Sequence, residues 1–290
     1  MKSTVVLLLF LFFNSLLAKD IYFGMYAKKF HVTEKESSLS LTIWADKLNN
    51  MDDLGITIKT KLYQDEEELY LDFIKGKVHF ASFPSSGYLK YKVDLLKNTQ
   101  QLFTFSISGH EKFFSYYLIK NKNGQLNLDK NTIKNIYFKK NEGTAKLWMD
   151  HLMLTKHKLS YKDIFNKVYD LKKQSLLVYK VFFGKENFAV LPKSIYETIV
   201  EINPQIIKNV EIIEKSEDIF VSSVGLIHKS LEKEYKDKIL LLTMDKKYEY
   251  LRKEAFEMSK ISTMELIEEK ELIDFENMYK AYSLLKRKAK

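Results

Sequence analysis

GKVHFASFPSSGY spans Gly76–Tyr88, and GKENFAVLPKSIY spans Gly184–Tyr196, 108 residues later and without a gap. Seven of the thirteen positions are identical: Gly, Lys, Phe, Ala, Pro, Ser and Tyr. The chain holds only three prolines, and two of them, Pro84 and Pro192, take the same place in this unit. Each copy follows an amphipathic segment, "DEEELYLDFIK" in the first half and "LKKQSLLVYKVFF" in the second. The pattern predicts that Gly-Lys closes a helix, the short apolar run forms a buried strand, and Pro opens the next helix. That is one helix–strand–helix unit of a parallel α/β sheet in each half, so two similar lobes are expected.

The ends of the chain bear on where it works. "MKSTVVLLLFLFFNSLLA" has a lone charge at Lys2, an apolar core from Val5 to Phe13 and a small residue at Ala18. This is the layout of a secretory signal peptide cut near Ala18, with an uncleaved N-terminal anchor as the other reading of a run short for a membrane span. There are no cysteines, which removes thiol catalysis, disulfides, thiolate metal sites and an acylated lipoprotein cysteine. An exported protein of this size, 46% hydrophobic, must then rest on core packing, and a bacterial periplasm suits it. The net charge of +9 is dispersed among acidic residues, as in "KSLEKEYKDK", which reads as solvated helix faces and no nucleic-acid partner.

Along the chain, "DIYFGMY" reads as a strand, "LSLTIWADKLNNM" as a helix, "GITIKTKLY" as a strand and "DEEELYLDFIKGK" as a helix. The first repeat copy continues this β-α-β-α-β-α start of an open doubly wound sheet. "KFFSYYLIKNKNG" is expected as the edge of a strand pair turning at Asn123-Gly124. "NIYFKKNEGTAKLWMDHLML" reads as strand, Gly-containing turn and helix, and "NKVYDL" and "NVEII" as short strands around the second copy. "SEDIFVSSVGLIHKSL" brings one strand back, and everything after it is expected to be helical. The resulting division is 1–18 signal peptide, 19–108 first lobe, 109–217 second lobe, and 218–290 return to the first lobe with C-terminal helices. The fold class is α/β, with two doubly wound open-sheet lobes facing a central cleft and joined by a two-segment hinge. Ligands of open α/β sheets bind beyond the carboxyl ends of the strands, so both repeat copies are expected to aim into that cleft.

The signal peptide, the "GK-x-x-F-A" strand with its trailing Tyr and the counterpart "FFGKENFAVLPKSIY" resemble type II periplasmic solute-binding proteins, in the phosphate/phosphonate branch of ABC importers. The resemblance covers most of the mature chain. It implies a periplasmic binding protein-like II fold, a small anionic solute, and a membrane permease as partner. It also implies a Tyr at the cleft lip after the third strand, here Tyr88, with Ser85 and Ser86 just before it. A Ser/Thr-rich turn opening a helix would hold the phosphonate head; the matching turn is "NEGTAKLW", with Thr144 between Gly143 and Ala145. Members grip an amine with an Asp in the repeated strand and an acidic residue near its end. This chain has His79 and Asn187 in those strands, and Leu191 and Pro192 at the later end.

The chemistry of such a site stands on the residues themselves. A helix start offers unpaired N–H groups and a positive dipole end, Gly143 permits close approach, and small hydroxyl residues add donors. Ser85, Ser86 and Thr144 are read either as ligand groups or as plain helix caps. Tyr88 is read as a lip aromatic or a core residue, and Tyr26, at the end of the first strand, in the same two ways. Lys193 and Ser194 mirror Ser85 and Ser86 in the second lobe, where surface exposure is expected. No G-x-S-x-G, P-loop or G-x-G-x-x-G motif occurs. "HEKFF" from His110 lacks the second metal histidine, His151 and His157 face different sides of a helix, and His31, His79 and His228 are isolated. No catalytic group, cofactor or metal is therefore expected. A solute-binding protein for an importer is the main reading, a monomer that binds a small oxyanion. A sensor docking on a membrane receptor or kinase is the alternative, and recruitment of the fold as an enzyme is a third.

Overall fold

A computed structural model describes residues 18–27, 34–51, 55–107, 111–124, 134–185 and 187–288. The apolar segment before Ala18, His31 and His110 lie outside the described residues. No described helix is long and apolar enough to cross a membrane.

Two sheets form the body. One carries β1 (Lys19–Tyr26), β2 (Ile56–Tyr63), β3 (Phe80–Phe83), β4 (Thr99–Ile107), β10 (Val224–His228) and β11 (Ile261–Ile267), in the order β11-β4-β10-β3-β1-β2. The other carries β5 (Tyr116–Asn121), β6 (Asn135–Lys139), β7 (Lys167–Leu171), β8 (Asn187–Pro192) and β9 (Val210–Lys215), in the order β7-β6-β8-β5-β9. The two orders follow one plan. β2-β1-β3 and β7-β6-β8 are parallel trios, and each is continued by an antiparallel strand, β10 or β5. β3 and β8, the strands of the repeated unit, hold the same slot in their sheets. Both read as continuous apolar runs because helices cover both faces, and every residue of β3 is buried.

The helix starts after these strands are alike in detail. Pro84 (φ −56°, ψ 148°) precedes the helix Ser85–Lys97, and Pro192 (φ −60°, ψ 143°) precedes the helix Lys193–Ile202. The two glycines are not alike. Gly76 sits at φ +71°, a left-handed turn closing the helix Glu66–Ile74, where glycine avoids the Cβ penalty. Gly184 is extended (φ −122°) and is small for a different reason: a Cβ there would fall 2.0 Å from the Asn187 amide. That amide donates to the Lys180 carbonyl at 2.7 Å, pinning the helix Ser175–Phe183 to the start of β8.

The chain crosses between the sheets twice, and the crossings pair with each other. Phe114 N–H donates to the Phe220 carbonyl at 2.9 Å and Phe220 N–H returns the bond at 3.2 Å. Ser216 Oγ accepts from Tyr116 N–H at 2.7 Å one step further along. This short antiparallel ladder is the two-segment hinge.

Two expectations need correction. β5 is not an edge: it pairs with β8 on one side and β9 on the other, as its buried run YYLIKN requires. The tail is not wholly helical, because β11 adds an outer strand antiparallel to β4. The preceding helix, Glu249–Ser259, stops at Lys260 with φ +56°, so no glycine marks the end, and only Met264 and Ile267 of β11 are buried. The C-terminal helix Ile273–Lys288 belongs to both lobes. Its Phe275 packs with Tyr116, Trp148 and Phe220, and its Tyr282 hydroxyl donates to Asp150 of the helix Gly143–His157 at 3.0 Å. On the other side, Lys92 of the helix Ser85–Lys97 pairs with Glu276 at 2.6 Å.

Candidate ligand-binding cleft

Between the sheets lies a cleft of about 370 Å³, and Pro84 and Pro192 both line it. Its walls are the carboxyl ends of strands, as open α/β sheets place their ligands. Tyr26 ends β1, Pro84 follows β3, Lys139 ends β6 and Pro192 ends β8.

Two helix starts meet here. The helix Ser85–Lys97 begins after Pro84 and the helix Gly143–His157 after Glu142, and neither N-cap residue makes a side-chain capping bond. Their first-turn N–H groups are thus left to the cleft, the arrangement that suits an anion. Ser86 and Gly143 face one another: a Cβ built on Gly143 would lie 3.5 Å from Ser86 Oγ.

Of the residues singled out in the sequence, Tyr26, Ser85, Ser86, Gly143 and Thr144 line the cleft. The Ser85 hydroxyl is committed to the Val221 carbonyl of the second crossing. Tyr88 does not stand at the lip. It is fully buried with Leu69, Phe73 and Phe83, because the fourth residue of its helix faces back onto the sheet. Ala145 is likewise buried, packed with Trp148 and Met149, and can meet a ligand only through its backbone as the third residue of its helix. The mirror position in the second lobe also differs. Lys193 N–H is bonded to the Ser115 carbonyl at 2.9 Å, and Pro192 is the residue of the second repeat copy that lines the cleft. The second lobe instead uses the helix after β6.

Charged and polar groups that were not singled out surround these. Glu142 Oε1 accepts from the buried Tyr116 hydroxyl at 2.9 Å. Burial raises the Glu142 carboxyl above the ordinary carboxylate range, against the opposing pull of Lys139 and the Tyr116 bond. Burial also lowers the Lys139 ammonium, with Glu142 working the other way. Across the cleft, burial raises Glu66, opposed by Lys90 and aided by Asp65. The Tyr26 hydroxyl is raised by burial and then by Glu66 and Asp65. Lys146 pairs with Asp170 at 2.7 Å, both in the cleft wall. Gln174 lines the same space, and its buried Nε2 has no hydrogen-bond partner. The sequence signal for Glu142 was its place beside Gly143; Glu66 was hidden in an acidic first turn that reads as a dipole complement. Gln174 carried no signal.

The histidines lie elsewhere. His79 and His228, far apart in sequence, are neighbours at the opposite end of β3 and β10, where His228 N–H donates to the His79 carbonyl at 2.8 Å. Among the described residues no group of three or more His, Asp or Glu side chains could hold a metal ion.

A family model described as ABC transporter, phosphonate, periplasmic substrate-binding protein matches residues 32–270. Among curated proteins, none matches the chain by sequence. Several solved structures share its fold. A binding protein component of an ABC phosphonate transporter from Pseudomonas aeruginosa superposes with TM-score 0.62 at 11% identity, covering 94% of this chain and 90% of that one. A Prochlorococcus marinus protein in complex with methylphosphonate gives 0.59 at 14% identity, over 92% and 99%. A Xanthomonas citri protein bound to ATP gives 0.63 at 7% identity, over 93% and 98%.

Proposed function

The chain belongs to the periplasmic substrate-binding protein family of phosphonate ABC transporters, and from that premise we propose that its cleft captures a phosphonate- or phosphate-like oxyanion. Proteins of this family work in the periplasm, bind a small anionic solute and act with an ABC permease. The observation that carries the reading is the pair of uncapped helix starts meeting at Ser86 and Gly143. Their amides, the Ser86 and Thr144 hydroxyls and the Gln174 amide are the donors we assign to the oxyanion. Tyr26 forms part of the wall. Closure about the Phe114–Phe220 ladder brings the two sets together, a hinge motion of two rigid lobes. We assign export to the segment ending near Ala18, the monomer as the working form, and a permease rather than a membrane sensor or kinase as the partner. No reaction is assigned to the cleft.

The test is a thermal-shift screen of phosphate, phosphite, methylphosphonate, sulfate and carboxylates on the mature protein. A ligand at 100 times its Kd should stabilise by about 2.7 kcal/mol. Unchanged melting across the phosphorus oxyanions would overturn the assignment.

A further inference from the structure

A second hollow, of about 340 Å³, lies beside the cleft and shares Gly143 and Lys146 with it. It follows one side of the helix Gly143–His157. Gly143, Leu147 and Asp150 line it at the spacing that stacks residues on one helix face, with Lys146 beside them. Ala145, Trp148 and Met149 of the same helix face the core instead. At about 1.5 Å per residue, this stripe takes the hollow about 10 Å from the helix start. Ser160 and, from the C-terminal helix, Tyr282 and Lys286 stand at its far end. Beyond its own turn, a Cβ on Gly143 would meet nothing within 4 Å except Ser86 Oγ, so the backbone there leaves room for a chain to pass.

Cations prevail in this hollow: Lys146, Lys162 and Lys286 line it against the single carboxylate of Asp150. Both oxygens of that carboxylate are taken up within the protein. Oδ1 accepts from the Ser160 hydroxyl and from Tyr161 N–H, and Oδ2 accepts from the Tyr282 hydroxyl at 3.0 Å. Lys286 Nζ in turn donates to the Tyr282 oxygen at 2.6 Å, which holds that ammonium at the hollow. Lys146 is paired with Asp170, whereas among the described residues no carboxylate pairs with Lys162 or Lys286. A cationic hollow that continues from an oxyanion site suits the second charge of a ligand held there by its first. Resting on the oxyanion reading above, we propose that the solute is a bifunctional organophosphonate, whose phosphorus head sits at the helix starts and whose chain ends in a carboxylate or other anionic group between Lys162 and Lys286. Lysine carries a point charge on a flexible stem, so these two side chains can meet a distal group at more than one chain length. The class is defined by two negative charges a few bonds apart.

The probes are 4-phosphonobutyrate and butylphosphonate, which share the phosphonate head and the number of carbons and differ in whether the chain ends in a carboxylate. Both are titrated calorimetrically into the mature protein at neutral pH. Two partly solvated ion pairs should make the carboxylate probe bind about tenfold more tightly. Both lysines are exposed, so the advantage should shrink as salt is raised. Lys162→Gln and Lys286→Gln should each lower the ratio of the two affinities about threefold, and Lys162→Glu should turn the carboxylate into a disadvantage. Lys247→Gln, which removes an exposed charge packed with the first lobe, should leave the ratio as it is. Equal affinity for the two probes in the wild type overturns the proposal and leaves the oxyanion function standing. So does a ratio untouched in the Lys162 and Lys286 variants, or one that falls as far in Lys247→Gln. Binding of methylphosphonate or phosphate but of neither longer probe has the same meaning. Binding of none of these, nor of phosphite, fails the functional reading and takes this proposal with it.

Discussion

Ser86 Oγ lies 3.5 Å from the point where a Cβ would stand on Gly143, although the two residues start helices in different lobes. A Cβ on residue 143 would therefore reach van der Waals contact with Ser86 across the cleft, where the two helix starts converge. A larger side chain at residue 143 would project into that gap.

A methyl at 3.5 Å makes an ordinary contact, so Gly143→Ala should be accommodated. Gly143→Val carries branched carbons beyond that point and holds the helix starts apart. If the closed population drops tenfold, the apparent Kd rises by about the same factor. Calorimetry with methylphosphonate should show this loss, and X-ray scattering a more open particle, while ligand-free stability changes by less than about 1 kcal/mol. Unaltered affinity in Gly143→Val would mean that this contact does not limit closure.

How much of this was legible in the sequence depends on how local the cause is. The repeat could be read because β3 and β8 are buried on both faces and because Pro84 and Pro192 fix φ at the same step. Tyr88 could not be placed by spacing alone, since one step around its helix separates the cleft from the core. β11 was lost because Lys260 occupies a left-handed position that usually announces itself as glycine. Glu66 and Gln174 are ordinary residues of a first turn and a loop. Only the approach of the second lobe puts them in a cleft.

Stability should fall as the pH drops below neutrality, on account of His79 and His228. Burial lowers both imidazoles from the ordinary 6.5, with His228 and Lys19 adding to the effect on His79 and Lys229 to that on His228. The unfolded chain then binds protons more readily than the fold. Their contribution is complete above pH 6.5 and is lost as the pH falls through it. Glu66 and Glu142, raised by burial, act with the opposite sign and favour the fold as the pH falls towards 4.5. The difference between wild type and His79→Gln/His228→Gln isolates the histidines. Urea melts from about pH 7.5 to about pH 5.5 should show a steeper decline for the wild type. Parallel curves would refute the assignment.

Lys92 joins the first lobe to the C-terminal helix. It lies 2.6 Å from Glu276, whose side chain is only 6% exposed, and 2.7 Å from the more exposed Glu269. Lys92→Met leaves the Glu276 carboxylate buried without its cation. A fully buried pair costs about 3–5 kcal/mol to break in this way. Here the lysine is 22% exposed, so about 2 kcal/mol is the reasonable size after solvent screening. Adding Glu276→Gln removes the stranded charge and should recover part of the loss in denaturant melts. A double variant no more stable than Lys92→Met would locate the cost elsewhere.

Gln174 separates stability from binding. Its Nε2 is buried in the cleft wall without a partner, and an unsatisfied buried donor costs about 1–3 kcal/mol. Gln174→Leu removes that donor at similar volume, so the ligand-free protein should melt higher, by about 1 kcal/mol in stability. If the amide is one of the groups that hold the oxyanion, the same change should weaken methylphosphonate binding about tenfold. The two effects have opposite signs, which a packing defect would not produce. A variant both less stable and equally tight in binding would remove Gln174 from the ligand's donors.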